Sequence, residues 1–334
     1  MKKYRPKNRL PAKTYINGIL NGDRVLLSRG ITVIESNLES DKLLAKEIIQ
    51  AILPASGNSI RIGITGVPGV GKSTFIEAFG KHIISQGHKV AILSIDPSSQ
   101  RTKGSILGDK TRMEQLANLE EAYIRPSPTG ATLGGVANKT GEIRLLCEAA
   151  GYDVILIETV GVGQSETAVH NMTDFFLLLM LAGAGDELQG IKKGIMEMAD
   201  MIVVNKADGG NIRRSELAKR QYQNALHIFP VGKSGWSPIA GTASAVENLG
   251  IDAIWEKINE YRTLVTENGY FEKNRNDQRT QWMYDNINEG LKNLFYSSPH
   301  IASSLKKLEG QIASSSISPV KAAELILEDF KKSF

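Results

Sequence analysis

Short apolar runs alternate with amphipathic segments between residue 60 and about residue 262. The β-branched run 60–64 opens this region, and Phe75, Phe79 and Ile83 then recur at the spacing of one helix face. The alternation predicts an α/β fold with a mainly parallel sheet that carries helices on both faces. Ligands of such sheets bind at the carboxyl ends of the strands. Further strands are predicted at 90–95, 122–125, 154–158, 175–180, 201–205 and 237–242.

The pattern differs on either side of this sheet region. Residues 14–53 are predicted to be helical, and the polar segment 267–281 is expected to contribute little to a core. Helical spacing returns after it, and a last helix is predicted to start at Ser318 and Pro319. These helices must bury their apolar faces on the sheet domain or on a second subunit, and periodicity alone does not decide which. We expect an N-terminal helical segment at 1–58, a sheet domain at 59–265 and a C-terminal helical region at 266–334.

Composition excludes several classes of function. The net charge is +4, but the charges are mixed and form no basic stripe with interleaved aromatics, so nucleic acid is not an expected partner. No apolar run is long enough to span a membrane, so no membrane partner is expected. The single cysteine, Cys147, excludes an intrachain disulfide and predicts a reducing, cytoplasmic location. Residues 1–20 are basic without acids and are expected to form a loose arm rather than a targeting peptide.

The segment after the first predicted strand fits the P-loop pattern G-x-x-x-x-G-K-[ST]. Its glycines allow backbone N–H groups to approach phosphate oxygens, and the following helix N-terminus favours the anion. Lys72 is expected to reach the β- and γ-phosphates, and the Ser73 hydroxyl is expected to bind Mg²⁺. The residues predicted to hold the nucleotide here are Gly66, Val67, Pro68, Gly69, Val70, Gly71, Lys72, Ser73 and Thr74.

Acidic residues follow two of the predicted strands. Glu158 ends the run 154–158 beside a glycine turn, which is where a Walker-B carboxylate for Mg²⁺ is expected. Asp96, after the run 90–95, and Asp109 are predicted as metal or water ligands, although aspartate is also common in ordinary turns. Lys72, Glu158, Asp96 and Asp109 are therefore the predicted catalytic and metal-binding set.

A second motif predicts which purine is bound. Asn205, Lys206 and Asp208 form an Asn-Lys-x-Asp sequence at the end of a predicted strand. The Asp208 carboxylate can accept hydrogen bonds from guanine N1–H and the 2-amino group, which adenine lacks, and the Lys206 stem can lie along the ring. Ser244 and Ala245 are expected to offer backbone N–H groups to the guanine carbonyl. The sequence therefore predicts GTP with Mg²⁺.

The residue that positions the attacking water is not identifiable from spacing. In small GTPases a Gln directly follows the glycine of this motif, whereas here Val162 follows Gly161 and Gln164 comes later. We therefore expect slow intrinsic hydrolysis that a partner accelerates.

With these motifs assembled, the chain resembles the methylmalonyl-CoA mutase-associated GTPases, also called LAO/AO (lysine-arginine-ornithine) transport system kinases, a group of metallocentre-assembly GTPases. The resemblance rests on the P-loop, on Asn205 to Asp208, and on the stretches 96–99, 104–113, 133–135, 158–166 and 185–192. It implies a homodimeric GTPase chaperone, dimerising through its C-terminal helices, that gates adenosylcobalamin loading of methylmalonyl-CoA mutase and protects that enzyme. It also implies a partner switch whose polar members are Asp186, Glu187, Gln189 and Lys192.

Three other readings stay open at this stage. One is a nucleotide-dependent kinase linked to basic amino-acid transport, because a P-loop does not distinguish hydrolysis from phosphotransfer. Another is a nickel-insertion GTPase, which the five scattered histidines and single cysteine disfavour. The third is a switch that only binds nucleotide.

Overall fold

The computed structural model describes residues 9–95, 113–126, 133–159, 165–183 and 193–332, and elements are numbered over these residues. Seven strands form one sheet in the order β3-β2-β4-β1-β5-β6-β7, with every neighbouring pair parallel. The predicted α/β fold and its strands are confirmed, with small shifts at some strand ends. The strands are β1 Ile60–Gly66, β2 Val90–Ile95, β3 Ala122–Arg125, β4 Val154–Thr159, β5 Phe175–Leu181, β6 Met201–Asn205 and β7 Ile239–Thr242.

Helices cover both faces of the sheet. They are α1 Ala12–Leu20, α2 Arg24–Glu35, α3 Glu39–Ile52, α4 Lys72–Ser85, α5 Glu114–Ala117, α6 Leu133–Ala149, α7 Ser165–His170, α8 Lys193–Met198, α9 Ile212–Leu226, α10 Ile251–Glu267, α11 Tyr270–Tyr296, α12 Pro299–Ala313 and α13 Pro319–Lys332. Side chains of β2, β3 and β4 alternate between two separate cores, as the period of a β-strand requires. Ile62 and Ile64 of β1 pack with α4 and α10, whereas Ile155 and Ile157 of β4 pack with α1, α2, α3 and α6.

The N-terminal segment is part of the second core. Tyr15 and Ile19 of α1 are fully buried there, so the expectation of a loose arm through residue 20 is wrong for α1. The single helical run predicted over 14–53 is divided into three helices. The first break is explained by Asp23, whose side chain accepts hydrogen bonds from the N–H groups of Val25 and Leu26 and so starts a new helix. The apolar faces of these helices bury one side of the sheet.

Aspartates at the amino ends of three strands accept backbone hydrogen bonds from the chain beside them. Asp153 Oδ1 accepts from Lys89 N–H at 2.7 Å, and Asp174 Oδ2 accepts from Arg61 N–H at 2.8 Å. Asp200 Oδ2 accepts from Phe176 N–H at 2.8 Å. A buried backbone donor without a partner is costly, so Asp174 and Asp200 complete the hydrogen bonding where buried strands begin, while Asp153 does the same at an exposed position.

Arg275 lies at this same amino edge and is 1% exposed. Its Nε and Nη2 donate to the two carboxylate oxygens of Asp174 at 2.9 and 2.6 Å, and its other N–H groups donate to the carbonyls of Gly57 and Ser59. The guanidinium also stacks on the ring of Phe271. The expectation that 267–281 contributes little to the core is therefore wrong, because one charged side chain in it is fully buried and paired. Hydrophobic periodicity does not reveal Arg275, because a helical apolar pattern takes no account of buried charged residues.

The structure divides into two compact units, Met1–Gln278 and Arg279–Phe334. The three-part division expected from the sequence stays a prediction. Within the second unit, α12 and α13 pair through His300 Nε2 and Asp329 Oδ2 at 2.8 Å. The predicted start of the last helix is confirmed, and Ser318 Oγ accepts a hydrogen bond from Lys321 N–H.

One face of α11 is an apolar stripe that stays open to solvent. It contains Met283, Ile287, Leu291 and Leu294, each about half exposed at 48–56%. Among the described residues, no helix has both the length and the apolar character needed to cross a bilayer.

Replacing Arg275 with methionine should destabilise the first unit by about 3–5 kcal/mol, because the buried Asp174 carboxylate loses its partner. Urea unfolding followed by circular dichroism measures this loss. The matched control is Arg213→Met on exposed α9, expected to stay within about 0.5 kcal/mol of the natural protein. Equal effects of the two variants would contradict the role of Arg275.

Stability should fall as pH rises from about 4 to about 7 because of Asp200. Burial raises the pKa of its carboxyl from 3.8 to about 7, and the hydrogen bond from Phe176 N–H opposes this shift. Above about pH 4 the unfolded chain loses this proton while the folded protein keeps it. The stability that the neutral carboxyl contributes is therefore fully present below the unfolded pKa and is lost as pH rises to the folded pKa. The slope is at most about 1.4 kcal/mol per pH unit.

Asp200→Asn should remove this slope while keeping an acceptor for Phe176 N–H. Unfolding free energies at several pH values between 4 and 7 measure it, with Asp252→Asn, at an exposed position of α10, as the control that retains the natural slope. Parallel pH profiles for the natural protein and Asp200→Asn would refute the assignment.

Candidate functional site

The P-loop connects the end of β1 to the start of α4. Gly69 and Gly71 have φ of 76° and 88°, the left-handed region that favours glycine. A Cβ at Gly66 would lie 2.5 Å from the Leu179 carbonyl oxygen, so this position also has no room for a side chain. Val67 and Val70 are buried in the core beneath the loop. The loop is therefore anchored by apolar side chains while its backbone stays at the surface of the sheet edge.

Lys72 begins α4 directly behind this loop. Its Nζ donates to the Gly66 carbonyl oxygen at 2.9 Å. Burial lowers the pKa of Lys72, and the negative charges of Glu158 and Glu166 oppose that shift. Ser73 lies next to it, half-buried in the first turn of α4. A cation and a hydroxyl thus stand together at a helix N-terminus, which suits a phosphate with an associated metal.

Glu158 occupies the carboxyl edge of β4, where it pairs in register with Ile64 of the neighbouring β1. Its side chain is 3% exposed, and Ser94 Oγ donates to its Oε1 at 2.8 Å. The bond from Ser94 orients the carboxylate; Ser94 lies opposite Glu158 on the neighbouring strand β2, a pairing that chain order does not reveal. Hard oxygen donors of this kind fit Mg²⁺. The described residues contain no group of three or more His, Cys, Asp or Glu that could hold a metal, so Ser73 and Glu158 are the described candidates.

Asn205 and Lys206 reach from the end of β6 to the P-loop. Asn205 Nδ2 donates to the Val70 carbonyl oxygen, and Lys206 Nζ donates to the Gly69 carbonyl oxygen, both at 2.8 Å. Lys206 has φ of 60°, an unusual value for a residue with a side chain. Asn205 Oδ1 is buried and has no hydrogen-bond partner among the described residues, and a bound ligand could supply one. The structure therefore brings the two sequence motifs into one site.

Asp208 is held by the side chain of Ser244, whose backbone N–H was expected to contact the base. Ser244 Oγ donates to Asp208 Oδ2 at 2.6 Å and accepts from Glu247 N–H at 3.1 Å. The Ser244 backbone N–H, expected to contact the guanine carbonyl, already donates to Leu249 O at 2.9 Å. Ala245 N–H therefore remains the predicted backbone donor of this pair. Only the fold could reveal the Ser244 side-chain bond, because the two residues are 36 positions apart.

Several predicted site residues lie outside the described part of the chain. These are Asp96, Asp109, Asp186, Glu187, Gln189 and Lys192, together with Gln164.

A parallel sheet, a glycine loop leading into a helix with Lys and Ser, and an Asn-Lys-x-Asp strand end define the P-loop GTPase class. Residues 27–300 match a family model described as "Methylmalonyl Co-A mutase-associated GTPase MeaB". The chain belongs to this family and is a GTPase.

Named relatives support this placement. The "Probable GTPase Rv1496" of Mycobacterium tuberculosis is 49% identical over 310 residues, which cover 93% of this chain and 92% of that protein. The mouse "Methylmalonic aciduria type A homolog, mitochondrial" is 42% identical over 324 residues, which cover 94% of this chain and 78% of that protein. A solved structure named "Crystal structure of LAO/AO transport system kinase" is 36% identical, with a TM-score of 0.76, and covers 98% of this chain and 100% of its own.

Asp208→Asn should lower GTP affinity at least tenfold and favour xanthosine triphosphate, because an amide donor replaces the carboxylate acceptor. Titration calorimetry with both nucleotides measures the exchange. Ser244→Ala is the companion variant: it removes the bond that orients Asp208 and should weaken GTP several-fold without any gain for xanthosine triphosphate. Unchanged GTP affinity in Asp208→Asn would remove the guanine assignment.

Proposed function

We propose that the chain binds Mg²⁺·GTP through the P-loop and the Asn205–Asp208 motif and hydrolyses it. The observation that carries this proposal is the pair of 2.8 Å bonds by which Asn205 and Lys206 hold the Val70 and Gly69 carbonyls, since they bring the phosphate and base halves together. In this assignment the whole run from Gly66 to Thr74 surrounds the phosphates, and Asp208 selects guanine.

The proposed roles follow from the charges of the site. Lys72 Nζ would leave the Gly66 carbonyl for the β- and γ-phosphates. Ser73 and Glu158, with Asp96 and Asp109, would hold Mg²⁺, which neutralises phosphate charge when bound. The hydrogen bond from Ser94 Oγ fixes the orientation of the Glu158 carboxylate at the end of β4.

We further propose that the GTPase cycle gates adenosylcobalamin loading of methylmalonyl-CoA mutase, or of a related acyl-CoA mutase, and protects that enzyme. The family description and the name of the mouse relative support this client. The segment with Asp186, Glu187, Gln189 and Lys192 is proposed as the switch that responds to it. The lone Cys147, which is buried, is consistent with a reducing, cytoplasmic setting.

A homodimer formed through the C-terminal helices is part of this proposal. Its support is the half-exposed stripe of Met283, Ile287, Leu291 and Leu294, because contiguous apolar surface of this kind is typical of interfaces. Sedimentation of the full chain tests it, and a monomer at micromolar concentration would exclude it.

The full chain alone should hydrolyse GTP slowly, and the client mutase from the same source should raise the rate at least tenfold. Phosphate release measured with and without each candidate mutase tests this expectation. Glu158→Gln is the control, expected to lose most hydrolysis in both conditions because a metal ligand becomes a neutral amide.

Two outcomes would contradict the proposal. Turnover of tens per second by the free protein would remove the need for an accelerating partner. Transfer of labelled γ-phosphate to a protein acceptor would favour the kinase reading carried by the name of the solved relative.

A further inference from the structure

The proposed site lies across the junction of two neighbouring strands, β4 and β1. Glu158, assigned to Mg²⁺, ends β4 and is bonded to Ser94 of β2, so both belong to the β3-β2-β4 side of the sheet. The P-loop follows β1, and side chains at the end of β6 bond to it, so it belongs to the β1-β5-β6-β7 side. The place of the metal carboxylate relative to the phosphate loop therefore depends on what joins β4 to β1 at their carboxyl ends.

Backbone pairing between β1 and β4 stops just before the site begins. Their last register pair is Ile64 with Glu158. One residue further on, Thr65 is in register with β5, and Thr159 is in register with β2. At the carboxyl edge each strand thus continues with its other neighbour, and the β1–β4 ladder has ended where the P-loop starts.

Two threonine side chains connect the strands at that point. Thr65 Oγ1 and Thr159 Oγ1 are hydrogen-bonded at 2.8 Å, and the two residues are 2% and 0% exposed. Thr65 immediately precedes Gly66, whose carbonyl oxygen accepts from Lys72 Nζ. Thr159 immediately follows Glu158. A hydrogen bond has a preferred length and direction, so this one restrains the start of the P-loop relative to the metal carboxylate.

Core packing alone does not explain two hydroxyls at this position. Ile155 and Ile157, which precede Thr159 on the same face of β4, are apolar and fully buried. A buried hydroxyl costs free energy unless it is hydrogen-bonded, whereas a valine of similar shape carries no such cost. Among the described residues, the bond between Thr65 and Thr159 is the one side-chain hydrogen bond that either hydroxyl makes. The two threonines therefore depend on each other and act as a unit.

We propose that Thr65 and Thr159 are positioning residues, which set the place of the Glu158 carboxylate relative to the P-loop for the Mg²⁺-dependent hydrolysis of GTP. This inference rests on the proposed function, in which Glu158 binds Mg²⁺ and the P-loop binds the phosphates. Nucleotide binding without Mg²⁺ uses the P-loop and the Asn205–Asp208 motif, which lie on one side of the junction. The threonine pair should therefore affect the steps that need Mg²⁺ and leave Mg²⁺-free binding unchanged.

The test compares Thr159→Val with Thr159→Ser, which keeps the hydroxyl, in the full chain. Phosphate release from GTP and release of a fluorescent GDP analogue are measured from EDTA to saturating Mg²⁺. Thr159→Val should raise the half-saturating Mg²⁺ concentration in both assays and lower kcat, each about tenfold, because small displacements of catalytic groups are costly. Thr159→Ser should stay within about threefold of the natural protein, since its hydroxyl can still bond. In EDTA, both variants should release the analogue at the natural rate.

Thr140→Val is the matched control for loss of a buried threonine hydroxyl. Thr140 is 2% exposed and donates to the Val136 carbonyl oxygen within α6, so it joins no two strands. Its valine variant should keep the natural Mg²⁺ dependence. A changed Mg²⁺ dependence of the same size in this control would overturn the positioning role, because any lost hydroxyl would then have the effect.

The double variant Thr65→Val/Thr159→Val separates positioning from stability. It leaves neither hydroxyl unpaired, so its melting temperature should rise above that of Thr159→Val. Its Mg²⁺ dependence should stay as altered as in the single variant, because the two residues act through one bond and their effects are not additive. Recovery of the natural Mg²⁺ dependence together with the melting temperature would show a purely structural role.

The outcomes distinguish this inference from the proposed function. If the natural protein binds no guanine nucleotide, the proposed function fails. If it binds and hydrolyses GTP while Thr159→Val keeps the natural Mg²⁺ dependence, the positioning role fails alone. Equally faster release of the analogue by Thr159→Val in EDTA and in Mg²⁺ would also overturn it. Should Thr159→Val not fold, the double variant decides by the same criteria.

Discussion

Two hydrogen bonds from the end of β6 to the P-loop hold the site together. Asn205 and Lys206 donate to the carbonyl oxygens of Val70 and Gly69, so the P-loop and the end of β6 are joined directly. The arrangement requires β1, β5 and β6 to be neighbours, because the two motifs lie more than 130 residues apart in sequence.

The two edges of the sheet use polar side chains differently. At the amino edge, Asp153, Asp174 and Asp200 accept backbone hydrogen bonds, and Asp174 is paired with Arg275. These groups have their partners within the described protein and stabilise the fold. At the carboxyl edge, the buried Asn205 Oδ1 has no hydrogen-bond partner among the described residues, and Lys72 Nζ donates to the Gly66 carbonyl oxygen. The carboxyl edge, where the proposed site lies, therefore keeps hydrogen-bonding capacity at Asn205 that a ligand could use.

Much of this arrangement could be predicted from residue order. The strand pattern, the P-loop and the Asn205–Asp208 motif each depend on local spacing, and parallel strands must bring their carboxyl ends to one edge. Hydrophobic periodicity did not predict the burial of a charged side chain or the point at which a helical run is interrupted. Arg275 lies in a segment that is polar by composition, and the break at Asp23 depends on a side-chain cap inside an apparently continuous run.

The amino-acid sequence by itself determined the fold class, the P-loop and the prediction of a guanine nucleotide, since these follow from periodicity and from short motifs whose chemistry is local. Only the tertiary structure decided which side chains hold that chemistry in place. The bonds from Ser244 to Asp208 and from Ser94 to Glu158 join residues from different elements. The physical reason is that a hydrogen bond or a charge interaction depends on distance in space, which chain order does not specify until the sheet has formed.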